Sequence, residues 1–312
     1  MNEFYLSEKL YLVAIDPIHV GTGGYRLGSV DNTIIRDPSN KIPKLPGSGI
    51  SGVVKSFYPY TNENQVEAKK EWECLISEGG CGKSSCAICN TFGFSKQTKD
   101  EKGKQGSNES RKGRVQFFDA NIMLFPVFTS LGTKWITTLN ILKENTKETE
   151  LINLIQPPKK DTVFVNSSSN TNIAIGWVSF KQLQNNELFS KIQNISYLKQ
   201  FAKDILVINE DVFSFLVNNN LEVRTSIRID HKTGSVIDGA LFTYEAIPRS
   251  TVFSLEINIF NYDYFNNQNV QIQYIKDRLD KALQMLEIVG LGGMNTRGFG
   301  RMKLLNFLGV SK

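Results

Sequence analysis

Four cysteines, Cys74, Cys81, Cys86 and Cys89, fall within 16 residues and run C-x6-C-x4-C-x2-C. The last pair, Cys86-Ala-Ile-Cys89, has the tight spacing of a zinc knuckle, and four thiolates match tetrahedral zinc. Gly79, Gly80 and Gly82 let the backbone wrap closely around such an ion. With all four positions taken by the protein, a bound zinc is structural and folds a segment poor in apolar residues. Two other readings stay open at this point: four reduced thiols without metal, and an iron–sulfur cluster, which fits the spacing less well.

Other candidate chemistry is sparse. There are two histidines, His19 and His231, and no Ser-His-Asp or Cys-His arrangement stands out. His19 opens a glycine-rich loop, His19-Val-Gly21-Thr-Gly23-Gly24, which lacks the glycine spacing of a dinucleotide fingerprint. A second loop, Gly290-Leu-Gly292-Gly293-Met-Asn-Thr-Arg297-Gly298-Phe-Gly300, is not a P-loop because the Gly-Lys-Ser/Thr ending is missing. Read alone it is a helix stop and tight turn. Its alternative is a place where an RNA backbone approaches closely and Arg297 meets a phosphate. By composition Asp31 is one acid among many.

These residues need elements to position them. Alternation and β-branching predict a strand over residues 5–15, followed by a polar stretch of loop or short strands over 25–45. Ile50, Val53, Val54 and Phe57 have helical spacing, with Ser48 as N-cap and free N–H groups at the helix start. Residues 60–113 read as an insertion, whose second part, 96–113, is a solvated or disordered loop. Strand character returns over 115–128. Residues 140–163 are polar and cover an edge or form another loop. Helical segments are expected at 180–186, 197–201 and 211–217, the last capped by Asn209. Residues 221–247 read as a long hairpin turning at His231-Lys-Thr-Gly234, either an ordinary solvated hairpin or one whose Arg224 and Arg228, on one face, contact nucleic acid. A helix is expected over 270–287 and a last strand over 301–307.

The 312 residues carry 36 Lys+Arg against 31 Asp+Glu, a formal charge of +5. This permits an acidic partner without requiring one. No run approaches 18 apolar residues, so no membrane span is expected. Without a signal-peptide pattern and with clustered cysteines, the expected location is the cytoplasm.

Three segments together resemble the RAMP superfamily of CRISPR proteins. They are Asp16-Pro-Ile-His19-Val-Gly21-Thr-Gly23, then Val30-Asp31-Asn-Thr-Ile34-Ile-Arg36-Asp37 running on to Pro46-Gly-Ser48-Gly49-Ile-Ser-Gly52, and the loop from Gly290 to Gly300. With the hairpin sequence from Glu222 to Phe242, the match narrows to the backbone subunit of type III-B (Cmr) effector complexes. The resemblance implies a single α+β domain over 1–312: a ferredoxin-like, RRM-related core with a cysteine-rich insertion at 60–113 and a protruding β-hairpin thumb at 221–247. It also implies partners: CRISPR RNA, complementary target RNA, further copies of the chain in a filament, and other Cmr-type subunits.

On this resemblance Asp31 is the catalytic acid of a target-RNA endonuclease. Ser48, Gly49, Lys55, Gly292, Gly293, Arg297 and Gly298 lie near the guide backbone, and Arg224 and Arg228 belong to the thumb. His19 and Arg36 are further RNA-binding candidates. Cleavage is expected to use a weakly held divalent cation, magnesium or manganese, and attack by the 2′-hydroxyl. The competing implications are a non-catalytic guide-RNA scaffold and a stand-alone processing ribonuclease. The latter would often use a histidine or tyrosine–lysine arrangement, and no convincing one is present.

Overall fold

Leu10, Leu12 and Ala14 alternate along the C-terminal half of the first strand, β1 (Tyr5–Ala14), and are buried. The computed structural model describes residues 4–23, 30–99, 105–146, 148–169, 171–264, 266, 268–269 and 272–308. β2 (Lys44–Leu45) leads into α1 (Gly47–Phe57), which buries Ile50 and Val54 one turn apart. A 3-10 turn, Tyr58–Thr61, joins α1 to α2 (Gln65–Ile76). The Asn64 side chain starts α2 by accepting the Val66 and Glu67 N–H groups. Next come α3 (Ala87–Phe92), β3 (Gly93–Lys99), β4 (Gln105–Lys112), β5 (Val115–Phe117), β6 (Ala120–Thr129) and β7 (Gly132–Thr138). They are followed by α4 (Leu139–Asn145), α5 (Thr149–Leu154), β8 (Thr162–Val165), β9 (Ile173–Ile175) and β10 (Val178–Gln184). α6 (Asn186–Asn194), β11 (Ile205–Ile208) and α7 (Glu210–Asn219) lead to the hairpin strands β12 (Glu222–Ile229) and β13 (Val236–Ala246). The chain ends with β14 (Val252–Phe260), β15 (Tyr262–Asp263), β16 (Gln268–Asn269), α8 (Gln273–Gln284), α9 (Leu286–Val289) and β17 (Met302–Leu304).

The main sheet has the order β17-β1-β14-β6-β7-β11-β8-β10-β9. β9 returns to β6 through Thr129 and Ile175, so β6, β7, β11, β8, β10 and β9 form a closed, barrel-like ring. One core joins this sheet to α1 and α8 through residues such as Leu10, Ile50, Val54, Leu255 and Leu279. A second gathers Met123, Leu139, Phe189, Leu198 and Val207. The architecture is mixed α+β, as expected. Among the described residues no helix is long and apolar enough to cross a membrane.

Several elements differ from the sequence reading. Residues 96–99 and 105–112 are not a loop: β3 and β4 pair antiparallel from Gly93↔Lys112 to Lys99↔Gln105, and backbone pairing rather than an apolar face defines them. Residues 180–186 are mostly strand. The three-residue spacing of Phe180 and Leu183 imitates a helix, but β10 is fixed between β8 and β9. The helix starts afterwards, where Asn185 accepts the Leu188 N–H at 3.1 Å. Residues 197–201 are turns that bury Leu198 and Phe201. Ser48 does not cap α1: Pro46 occupies that position and Ser48 lies in the first turn. Gly24 and residues 25–29 of the polar stretch lie outside the described residues, as do 100–104 of the charged run and 270–271 of the expected helix.

Candidate nucleic-acid interface

Asp31 lies beside the base of the 222–246 hairpin. Its Oδ2 accepts the Thr243 N–H and the Thr243 hydroxyl, each at 2.8 Å. The Thr243 N–H first, and then the hydroxyl, hold the carboxyl below the usual aspartate range. Asp31 is therefore an anion at neutral pH and cannot serve as a proton donor there. Its Oδ1 has no hydrogen-bond partner among the described residues. The next turn of the chain is anchored by Glu245, which is 8 % exposed. The Glu245 carboxylate accepts the Ile34 N–H at 3.1 Å and pairs with the Arg36 guanidinium. Arg36 also donates to the Asn218 side chain at 2.9 Å and the Ile34 carbonyl at 3.1 Å. It is committed to holding this loop in place.

The two glycine loops meet at His19, itself buried. Its Nδ1 donates to the Glu245 carbonyl at 2.6 Å, which fixes the tautomer. Its carbonyl accepts the Gly293 N–H at 2.8 Å. A Cβ at Gly292, where φ is +89°, would stand 2.4 Å from that same carbonyl oxygen, so no other residue fits. The imidazole is thus anchored on the hairpin strand, while the His19 carbonyl supports the 290–300 loop. Gly292, Gly293, Arg297 and Gly298 are exposed on the loop.

The hairpin presents two different faces, because directly opposed residues share a side. Arg224↔Tyr244 and Ser226↔Phe242 form one; Thr225↔Thr243 and Ile227↔Leu241 form the other. The Arg224 guanidinium lies 4.6 Å from the Phe299 ring centroid, which ties the hairpin to the glycine loop. Arg228 and Arg297 line one cleft of about 380 Å³ with Ser226, His231, Phe242 and Tyr244. Cationic side chains interleaved with aromatic rings suit a phosphodiester chain carrying stacked bases. On the opposite face Ile227, Ile229, Val236 and Leu241 are all about half exposed.

Ser48 and Gly49 border a second groove, about 320 Å³, with Gly52 and Ser56 of α1 and with Gly290 and Asn295. A Cβ at Gly49 or Gly52 would meet nothing within 4 Å, so this face of α1 is open. Lys55 lies on the same helix and is half-buried. The expectation of wholly free N–H groups at the helix start needs correction. The Gly47 N–H is taken by Asp119 Oδ1 at 2.9 Å, and the Gly49 N–H by the Pro46 carbonyl at 3.0 Å. Lys44 lies between Asp119 at 2.8 Å and Asp37 at 3.1 Å, and the three brace the entry to α1.

The cysteines are brought together as their spacing predicts. All four Sγ atoms lie within 4.8 Å of one another. Cys74 and Cys89 are buried, with Sγ atoms 3.5 Å apart, and Cys81 Sγ is 3.8 Å from that of Cys89. Zinc–sulfur bonds of about 2.3 Å place tetrahedral sulfurs roughly 3.8 Å apart, so the set fits that ion. Gly79 and Gly80, both at positive φ, carry the wrap. A Cβ on Gly79 would strike the Ser95 carbonyl of β3 at 2.1 Å. Burial raises the Cys74 thiol to about 11. This cluster is the one group of three or more ligand side chains among the described residues, and Asp31 has no such companions.

Sequence reasoning missed Thr243, Glu245, Asn218 and Phe299. Each acts on a residue that does not neighbour it in the sequence, and a threonine or glutamate in a strand carries no signal of that contact.

Comparison with known proteins places these features together. The family model of the RAMP superfamily matches residues 11–303. The CRISPR system Cmr endoribonuclease Cmr4 of Pyrococcus furiosus is 25% identical over 264 residues, spanning 78% of this chain and 80% of that protein. A chain of the type III-B Cmr-beta complex, solved by cryo-EM bound to cognate target RNA, superposes with a TM-score of 0.62 at 18% identity, covering 97% of this chain and 98% of that one. The crystal structure of oligomeric Cmr4 from Pyrococcus furiosus gives 0.56 at 17% identity, covering 97% and 98%.

Proposed function

This chain belongs to the RAMP superfamily, and on that premise we propose that it is a guide-RNA-binding filament subunit of a type III-B effector that cuts complementary target RNA beside Asp31. One observation carries the reading: a fixed, ionised carboxylate with one free oxygen at the base of a two-faced hairpin. The core is read as ferredoxin-like and the hairpin as the thumb that interrupts the guide–target duplex. Its partners are CRISPR RNA, target RNA, further copies of the chain and other Cmr-type subunits.

Arg228 and Arg297 supply phosphate contacts, while Gly292, Gly293, Gly298, Ser48 and Gly49 allow close backbone approach. Lys55 adds charge along the same path. Arg224 serves mainly through its stacking on Phe299. His19 and Arg36, bonded from beneath, shape the loops that the RNA meets. Zinc on Cys74, Cys81, Cys86 and Cys89 staples the 60–113 insertion away from the reaction.

The reaction follows from one fixed acid. In-line attack forms the O2′–P bond and breaks P–O5′, leaving a 2′,3′-cyclic phosphate and a 5′-hydroxyl. The 2′-oxygen loses its proton to solvent water, and the departing 5′-oxygen takes one up from water. Asp31 contributes a negative charge and an acceptor oxygen. Asp31 would hold a divalent cation, which would supply charge neutralisation at the scissile group. Among the described residues the site offers it a single carboxylate, which fits weak, RNA-dependent binding.

The test is cleavage by the assembled complex with Asp31→Asn. It is expected to retain guide-RNA assembly and lose periodic cutting, and wild-type products are expected to end in cyclic phosphate. Unimpaired cutting by the variant favours a scaffold role, and 3′-hydroxyl ends exclude the 2′-attack route.

A further inference from the structure

The hairpin does more than stand beside Asp31; it holds the carboxylate. Thr243 lies in β13 opposite Thr225. Its N–H and hydroxyl donate to the same oxygen, Asp31 Oδ2, and its hydroxyl oxygen accepts the Asp31 N–H at 2.9 Å. A hydroxyl has one proton and two lone pairs, so both bonds coexist. Asn32 extends the clamp: its N–H donates to the Thr243 carbonyl at 3.0 Å, and its carbonyl accepts the Glu245 N–H at 3.0 Å. Two donors converging on Oδ2 restrict the carboxylate's rotation and leave Oδ1 as its free oxygen. Such ordering before substrate arrives is the kind that sets reaction rate rather than affinity.

We infer that Thr243 is the positioning residue for Asp31. Its hydroxyl fixes the acid, and because it belongs to the hairpin strand, the seating of the hairpin sets the carboxylate's orientation. The inference rests on Asp31 being the cleavage residue.

The experiment uses the full chain assembled on a synthetic guide RNA with a 5′-labelled complementary target, under single-turnover conditions. Thr243→Val removes the hydroxyl but keeps the branched shape and the N–H. Its cleavage rate at saturating target is expected to fall about 10- to 100-fold, with target affinity unchanged. Thr243→Ser restores the rate. Thr133→Val, an exposed threonine on β7 outside the hairpin, leaves it unaltered. A wild-type rate in Thr243→Val, an equal loss in Thr133→Val, or a loss explained by weaker target binding overturns the proposal. If Thr243→Val does not assemble, Thr243→Ala is the second hydroxyl-free variant; failure of both assigns Thr243 to folding and also overturns it. Asp31→Asn cutting at the wild-type rate refutes the parent reading instead, whatever the Thr243 variants do.

Discussion

Replacing Arg278 with Met tests how the cysteine-bearing insertion is locked to the core. Arg278 of α8 is 4 % exposed and its partner Glu71 of α2 is 5 % exposed, counting side chains. The pair is bidentate, with Nη1 to Oε1 at 2.8 Å and Nη2 to Oε2 at 2.6 Å. The remaining donors are also used: Nε bonds Thr61 Oγ1 at 2.9 Å, Nη2 the Tyr58 carbonyl at 2.7 Å and Nη1 the Tyr274 hydroxyl at 3.2 Å. The guanidinium also stacks 3.9 Å from the Tyr58 ring centroid. Loss of Arg278 leaves Glu71 buried with, among the described residues, the Asn62 amide at 2.8 Å to answer it. Stranding a charge in this way costs about 3–5 kcal/mol. Two apolar side chains of similar volume remove the stranded charge, so the double variant Glu71→Met/Arg278→Met is expected to recover most of the loss. Urea denaturation followed by tryptophan fluorescence reads both, since Trp72 lies on α2 itself. A loss below about 1 kcal/mol in Arg278→Met, the range of exposed pairs, would refute the reasoning. So would a double variant that loses the sum of the two single ones.

Two further perturbations are informative. The purified chain is expected to carry one zinc per molecule by elemental analysis. Cys89→Ser should abolish it and lower the melting temperature without altering residues at Asp31, and a metal-free wild type would leave the cluster as reduced thiols. Asp280→Asn is expected to raise the melting temperature at neutral pH. Burial raises the Asp280 carboxyl, so its ionised form is disfavoured in the folded state. That penalty is absent below the unfolded pKa and grows as pH rises through the folded one. The variant's advantage should therefore vanish in acid, while the Asn carbonyl still accepts the Leu308 N–H that Asp280 holds at 3.0 Å.

Local pattern determined much of this protein. The 3–4 spacing of Ile275, Leu279 and Leu283 defines a helix face, and alternation through 222–229 defines a strand. The clustered cysteines and the glycines flanking Cys81 mark a metal cradle, since ligand type and backbone freedom are written at adjacent positions. The run of Asp31, Arg36 and the two glycine loops likewise marked the family. Where local signals conflict, neighbours decide. Phe180 and Leu183 share helical spacing, yet β8 and β9 claim their backbone hydrogen bonds. The charged residues 105–112 lack an apolar face, yet they pair with β3. The site itself belongs to tertiary structure. That Asp31 is an oriented anion depends on Thr243, and that His19 and Arg36 act as supports depends on Glu245. These partners are separated by more than 200 residues, and a hydrogen bond acts over about 3 Å. Residue type could nominate the acid, but only the return of the hairpin strand could fix which of its oxygens is free.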